Sequence, residues 1–559
     1  MCGIWGYLSK STISSELLID LFKSSNTVRP RGPERSNVIY SSNSVLNFHR
    51  LAINGLSSVQ DQPYKYSTED GTYYVMCNGE IYNCYRLIDN YSLQNEFPNG
   101  LNSDTEVIFP LFKTLEYNFE ALNKQLLGEY SLVILKFDKA NNLSKCWIST
   151  DPVSVRPVFI YSTPEQLIFS SLLIGLTTIP NIDSSKIYRL KGGEYMQINA
   201  LTSKIVNSYL SPIIRCTDDI GTIQHRVVKI LCEATKDRLL SDRPIGCLLS
   251  GGVDSSLTSA IVASYLRNEG KKLHTFSIGL ENSPDCKYAK LVAEHIGSIH
   301  TEIIITEEEA LSVIPEVIKV TESYDITTIR ASVWQYLLAK YISEHTDIKV
   351  VIAGEGSDEL LGYVYCKLAP SNEELQKETE KLIKNIHLFD GIRADRCISH
   401  FGLEARFPFL DERYVNYILS IPPEWKIHTK SRMEKMILRQ SFDTVLPTLL
   451  PRSVLMRSKV SLSDGCSEQK KSWFEIVQDH ISRLPSTEKE LLTDVKHCLP
   501  VSEESRYYRK MWQSYFGENA SHVIPYFWLP NKEWYALKYG VEVTDPAQRL
   551  LPCYHNENE

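Results

Sequence analysis

Ile245-Gly246-Cys247-Leu248-Leu249-Ser250-Gly251-Gly252-Val253-Asp254-Ser255-Ser256 is the stretch whose reading decides the fold. Residues 245–249 form a short apolar run, which predicts a buried parallel strand. Behind the glycines, Leu257, Ile261, Val262, Tyr265 and Leu266 recur at helical spacing, and Gly270 stands where a helix stop belongs. Residues 250–256 therefore join a strand to a helix N-terminus. Two glycines let main chain approach a ligand closely, and the hydroxyls and free amides face the positive end of the helix dipole, which suits a phosphate. No G-x-x-x-x-G-K-[ST] pattern occurs here and no lysine is placed to grip the β- and γ-phosphates. Asp254 points to Mg²⁺ in its place.

The flanking pattern extends this unit. Residues 220–240 read as a helix feeding the strand. After the loop helix come a strand at 273–278, a helix at 285–296 stopped by Gly297, and a strand at 300–306. A helix at 332–345 and a strand at 349–353 follow. Strands alternating with helices imply a parallel, doubly wound sheet, with ligands at the strands' C-terminal ends. Leu249, Ile278, Ala353 and Gly354 fall there, and their apolar and main-chain character suits adenine and ribose. Gly354-Glu355-Gly356-Ser357-Asp358-Glu359 puts two carboxylates three apart in a glycine-flanked turn, where they can share Mg²⁺ and pyrophosphate oxygens. Further on, residues 402–411 (Gly-Leu-Glu-Ala-Arg-Phe-Pro-Phe-Leu-Asp) mix charges with an apolar run, for which structural ion pairing is a rival reading. Arg457-Ser458-Lys459 places cations on a loop. The loop at 250–256 resembles that of the ATP-pyrophosphatase family, which cleaves ATP to AMP and pyrophosphate while adenylating an acceptor.

The 559 residues suffice for two or three domains, and 43% hydrophobic with 23% charged residues is ordinary for a soluble globular protein. A net charge of −8 offers no basic face for nucleic acid. The 13 cysteines are scattered, odd in number and without a C-x-x-C pair, which argues for a reducing compartment and against a disulfide framework or zinc ribbon. No apolar stretch approaches the ~18 residues of a membrane span, and the N-terminus lacks the features of a signal peptide.

The N-terminal third carries a second chemistry. It begins Met1-Cys2-Gly3-Ile4-Trp5. With Met1 removed, Cys2 holds a thiol and an α-amine together, and the neutral amine can serve as base for the thiol. In order follow Arg31-Gly32-Pro33, His49-Arg50-Leu51-Ala52-Ile53-Asn54, Asn78-Gly79-Glu80 and Ser103-Asp104. Arg50 can take a substrate carboxylate bidentately, Asp104 an α-ammonium, and Asn78 with the Gly79 amide can form an oxyanion hole. Such a set holds an α-amino acid beside a nucleophile. Strands are predicted at 73–77, 130–137, 146–148, 158–161 and 167–169, and a polar linker near 211–219.

This ordered set resembles class II glutamine amidotransferase domains, which share an αββα N-terminal-nucleophile fold. The whole succession resembles the glutamine-hydrolysing asparagine synthetase family nearly throughout, to Thr544-Asp545-Pro546-Ala547. The resemblance implies an α/β chain with a glutaminase domain at 2–210 and a synthetase domain, of ATP-pyrophosphatase type, at 220–559. Its substrates would be aspartate, glutamine and ATP, with Mg²⁺. Cys2, Asn78, Gly79, Glu355 and Lys459 would be catalytic. Arg50, Leu51, Ala52, Ile53, Asn54, Asn78, Gly79, Glu80 and Asp104 would hold glutamine. Leu249, Ser250, Gly251, Gly252, Asp254, Ser255, Ser256, Ile278, Ala353 and Gly354 would hold ATP, with Asp254 and Asp358 serving Mg²⁺. Arg406 is a candidate for the aspartate α-carboxylate. A cytoplasmic location is implied, and a homodimer is left open. Three departures stand out: Glu34 follows R-G-P where the family usually has aspartate, Ser171-Leu172 replaces serine-glutamate, and Ala353 replaces a serine. The tail from residue 507 onward reads as irregular cover on the synthetase part. A β-lactam-forming synthetase is disfavoured by Cys2 and the intact glutamine pocket, and an RNA-thiolating relative by net charge and cysteine spacing. A catalytically silent binding relative is disfavoured because every expected chemical group is present.

Overall fold

The computed structural model describes residues 1–429, 432–467 and 471–554. Two antiparallel six-stranded sheets occupy the N-terminal part. In the first, Gly3–Ser9 lies between Ser44–Arg50 and Gln166–Ser170. In the second, Gly128–Phe137 lies between Gly71–Ile81 and Leu143–Thr150. Alternating side chains of the two sheets meet face to face. Ile4, Leu8, Leu46 and Phe48 pack against Met76, Val133, Ile148 and Met196. The outer face of the second sheet is covered by the helices Ile108–Thr114 and Phe119–Gln125, through Phe112, Phe119 and Trp147. The outer face of the first carries Ser15–Asn26, capped by the Ser14 hydroxyl on the Leu17 amide. The result is the αββα sandwich expected from the glutaminase resemblance.

The third sheet is parallel and five-stranded: Ile299–Ile304, His274–Gly279, Ile245–Leu248, Val350–Ile352 and Glu404–Arg406, in that spatial order. Val253–Asn268, Pro284–Ile296 and Ile326–His345 are helices packed with it. Gly297 ends the second of these in the left-handed conformation, as the sequence suggests. Ile326–His345 begins six residues before the predicted start because Asp325 caps it on the Thr328 amide.

The tail departs from the expectation of irregular cover. Glu503–Phe516 and Lys532–Tyr539 are helices. Tyr508, Trp512 and Phe516 recur every four residues and are buried, a helical stripe that the surrounding aromatic and polar residues mask.

Between the sandwich and the parallel sheet lies a buried network of charge. Glu129 of the sandwich accepts from Arg156 at 2.9 Å and from Arg238 at 2.8 Å, and Arg238 also reaches Asp411 at 2.8 Å. Arg31 grips Asp395 at 2.6 and 3.0 Å. Every one of these side chains is almost wholly enclosed.

Candidate functional site

Antiparallel register places Cys2. Gly3 stands opposite His49, so the preceding residue emerges beside Arg50, and the Cys2 thiol donates to the Leu51 carbonyl at 3.6 Å. Met1 is buried at the junction of the two halves. Its ammonium lies 3.6 Å from Glu404, and its sulfur rests against Arg156 and Arg31. Burial pushes the Cys2 thiol up to about 11, with the neighbouring ammonium opposing.

The predicted glutamine residues converge on this point. Arg50 is spent on its own loop: its guanidinium donates to Ser57 O at 2.6 Å, to Asn54 O at 3.3 Å and to Gly55 O, and pairs with Asp61 at 2.7 Å. Asn54 donates to Glu80 and lies 3.4 Å from Asp104. Asp104 accepts from the Ile81 amide at 2.6 Å, and burial pushes its carboxyl up to about 6. Burial also raises the thiol of Cys77, and the charges of Asp104, Glu80 and Cys2 add to that rise. Next to Cys77, the Asn78 side-chain amide is fully buried with neither its oxygen nor its nitrogen partnered. Gly79 follows with φ +139°, and a Cβ there would stand 1.9 Å from the Glu129 carbonyl. Only glycine fits, and its amide is left beside the idle Asn78 side chain.

Glu34 explains itself in the fold. One oxygen accepts from the Ala52 amide at 2.9 Å and the other meets Arg243 at 2.8 Å, while Arg243 donates to Ala52 O at 2.9 Å. Asp242 accepts from the Gly55 amide at 2.8 Å and gives its own amide to Ile53 O at 3.0 Å. The loop at 52–55, predicted to hold glutamine, is thus bonded to residues just ahead of the Ile245–Leu248 strand.

At the end of that strand, Gly251 turns with φ +71°, where a Cβ would stand 2.4 Å from that of Tyr288. Ser250 and Ser255 join hydroxyls at 3.0 Å, and the helix starts at Val253 with its first amides open. The cavity in front, of about 150 Å³, is lined by Leu249, Ser250, Asp254, Ile278, Ala353 and Gly354 among others. Gly252 and Ser255 also line it, whereas Ser256 is fully buried behind the loop. Across it, Asp358 forms ion pairs with two lysines, Lys435 at 2.7 Å and Lys459 at 2.9 Å, and Lys435 also donates to Asp254 at 2.6 Å. Burial pushes the Asp358 carboxyl up, but the two ammonium groups outweigh it and hold it well below the usual carboxylate range. Lys459, penalised by burial, is raised by Asp358 and Asp254. Glu355 accepts from Gln335 and stands 3.6 Å from Arg393, with burial raising its carboxyl.

A second cavity, again of about 150 Å³, shares Glu355, Asp358, Arg393 and Lys459 with the first. It adds Glu359, Tyr363 and Asp390. The Tyr363 hydroxyl donates to Glu359 at 2.8 Å and Asp390 at 2.9 Å, and Arg393 holds Asp390 at 2.9 Å.

Arg406 corrects the sequence reading. It lines neither cavity: it is fully buried, bonded to Glu404 at 2.8 Å and 3.4 Å from Glu80, in the charged layer between the halves. The apolar run at 407–410 carries it into an interface, the structural ion pairing that the sequence left as a rival. Lys435, Arg393 and Asp390 escaped notice because no glycine or motif marks them. Lys435 reads as a surface lysine until its left-handed backbone, φ +56°, and its two buried carboxylates are seen.

An αββα sandwich set against a parallel sheet with a cavity at its strand ends fits an amide-hydrolysing, acid-adenylating enzyme. Comparison with known proteins agrees. The glutamine amidotransferase domain family matches residues 1–209, and the asparagine synthase family matches 226–379 and 366–522. Curated relatives named asparagine synthetase [glutamine-hydrolyzing] include those of Gallus gallus, 36% identical, and Homo sapiens, 33% identical, each matched over 99% of this chain and 99% of its own. The chain belongs to the glutamine-hydrolysing asparagine synthetases. It makes asparagine from aspartate and ATP, with glutamine giving the nitrogen, through β-aspartyl-AMP, leaving AMP, pyrophosphate and glutamate. Among the described residues no helix is long and apolar enough to cross a membrane.

Proposed function

We propose a division of labour between two sites, in domains at 2–210 and 220–559. Cys2, freed of Met1, is the glutaminase nucleophile, with its own α-amine as base. The Asn78 amide and the Gly79 N–H stabilise the developing oxyanion, a role suited to a buried, idle amide. Leu51, Ala52, Ile53, Asn54 and Glu80 wall the glutamine pocket. Asp104 takes the α-ammonium, and Arg50 takes the α-carboxylate once it exchanges loop carbonyls for it.

In the synthetase site, residues 249–256 cradle the ATP phosphates, with Ile278, Ala353 and Gly354 beside the nucleoside. Since Ala353 brings no hydroxyl, it serves through main chain. The donors suit Mg²⁺. The buried Asp254 Oδ1 has no partner, and Asp358 is held beside the same lysine. Two carboxylates with phosphate and water are a usual Mg²⁺ set. Bound there, the ion would neutralise pyrophosphate charge. Lys435 and Lys459 add positive charge on the same side, and Glu355 orients the acid being activated.

The observation that carries the acceptor assignment is the second cavity. Aspartate needs a cation for its α-carboxylate and acids for its α-ammonium. Arg393 is the cation, and Glu359 with Asp390 are the acids. Burial and Asp390 push Glu359 well above the carboxylate range, so an ammonium between them relieves a repulsion already present. The assay is aspartate-dependent pyrophosphate release against N-acetyl-aspartate and succinate. Only aspartate should give turnover, and Arg393→Gln should raise the KM for aspartate at least ~30-fold, as for loss of a buried charged partner. Comparable turnover with succinate refutes the reading. In parallel, Cys2→Ala should lose glutamine-dependent synthesis and keep ammonia-dependent synthesis; equal loss of both would refute the division. A cytoplasmic homodimer rests on the family resemblance alone, and sedimentation of the purified protein decides its oligomeric part.

A further inference from the structure

The chain does not end at its last helix. Beyond Gly540, residues 541–554 run back across the synthetase site with only two short 3-10 turns, Gln548–Leu550 and Pro552–Tyr554. They are pinned at three places. Asp545 pairs bidentately with Arg330 at 2.8 and 2.9 Å and accepts from Gln478 at 3.2 Å. Leu551 and Cys553 are buried in a cluster with Tyr365, Cys366 and Trp534. Between these pins, the Gln548 side chain reads the main chain of the lysine loop from both sides. Its oxygen accepts from the Ser461 amide at 2.8 Å, and its nitrogen donates to the Lys459 carbonyl at 3.3 Å. The Lys459 amide is tied in turn to Glu434 at 2.8 Å. The backbone of Lys459 is therefore held on both faces, and its ammonium lies 2.9 Å from Asp358.

The same segment supplies Pro546, Ala547, Gln548 and Tyr554 to the wall of the second cavity. A segment that merely covered apolar surface would not need to bond the main chain of the loop. An amide satisfying a donor and an acceptor two residues apart instead fixes the position of the loop.

We propose that residues 546–554 close the acceptor cavity, and that Gln548 is a positioning residue that sets the reach of Lys459. This rests on the reading of Lys459 as a group that steadies the charge formed on adenylation. The test uses the full-length enzyme with ammonia as nitrogen source, so that glutaminase chemistry is bypassed. Gln548→Ala should lower kcat for asparagine formation at least about tenfold, the scale of a sub-ångström to ångström misplacement. The KM for aspartate should rise severalfold, while the KM for ATP, glutamine hydrolysis and the melting temperature stay as in the parent. Gln548→Met, which fills the same space without either hydrogen bond, should lose kcat to the same degree. If Gln548→Met keeps the parent kcat, the hydrogen bonds do not matter and the positioning role is overturned. Lys459→Ala is measured alongside. Full synthesis by that variant would sink the reading of Lys459 itself, whereas inactive Lys459→Ala beside normal Gln548→Ala and Gln548→Met would sink only the proposal for the tail. Should Gln548→Ala fail to fold, Asp545→Asn releases the same segment at its other pin, with Arg330 still paired to Glu504 at 2.5 Å, and carries the same expectation.

Discussion

Asp104 is a carboxylate that the fold would rather keep protonated. Burial raises it to about 6, against an ordinary value near 3.8. A carboxyl raised on folding favours the native state at low pH, and this contribution is lost as pH climbs from about 4 through about 6. Binding runs the other way, since only the ionised form can receive the ammonium of glutamine. The KM for glutamine should therefore fall as pH rises from 5 to 7, while ammonia-dependent synthesis shows no matching step. In Asp104→Asn the KM should stay high and flat across that range. A parent-like profile in the variant would remove Asp104 from the pocket. Residues of this kind were legible because each stands in a short motif whose members need one another: Cys2, Asn78-Gly79 and Asp104 make sense only together. Arg393 and Lys435 were not, because their meaning lies in which carboxylates the fold brings to them, 2.9 Å away for Asp390 and 2.6 Å for Asp254. Arg406 misled for the same reason: charges beside an apolar run look alike whether they line a pocket or seal an interface.

Among elements, the loop at 250–256 was the most legible, because a short apolar strand, paired glycines and a helical stripe each predict the same turn. Its geometry leaves little tolerance. Gly251→Ala combines a left-handed backbone with a Cβ 2.4 Å from that of Tyr288 and 2.6 Å from the Ala289 amide. Strain and displacement together should cost about 2–4 kcal/mol. Pyrophosphate release should fall at least a hundredfold while glutamine hydrolysis persists, and calorimetry should find the loss confined to the synthetase half. Parent-level pyrophosphate release would show that the loop does not set the phosphates. The helices of the tail were harder to read, since their stripe of Tyr508, Trp512 and Phe516 is set among other aromatics that blur the period. Nothing local to residues 546–554 announces that they fold back onto the lysine loop.

At the scale of the molecule, the two halves meet through charge. Glu129 is the hub, holding Arg156 and Arg238 and accepting from the Phe407 amide at 3.0 Å. Removing its charge leaves two guanidinium groups enclosed with a partner lost, which typically costs about 3–5 kcal/mol. Glu129→Gln should lower the melting temperature clearly, and glutamine consumed per asparagine formed should rise above one as the junction loosens. A one-to-one ratio at a parent melting temperature would show that the hub is dispensable. No single-segment reading could have found this network, because its members are spread from Arg31 to Asp411 and the pairs that join the halves, Arg31–Asp395 and Arg238–Asp411, lie far apart in sequence.

The bonds from Glu34 and Asp242 to the glutamine loop have a thermodynamic consequence. Ala52, Ile53 and Gly55 are tied to residues 242 and 243, two to three positions before the strand that leads into the loop at 250–256. On the proposed assignment of the two sites, glutamine and ATP would settle on opposite ends of one short piece of backbone. Ordering done by the first ligand need not be repeated by the second, and linkage requires reciprocity: the factor by which nucleotide tightens glutamine equals the factor by which glutamine tightens nucleotide. Glu34, spanning from the Ala52 amide to Arg243 with one side chain, is part of that backbone link.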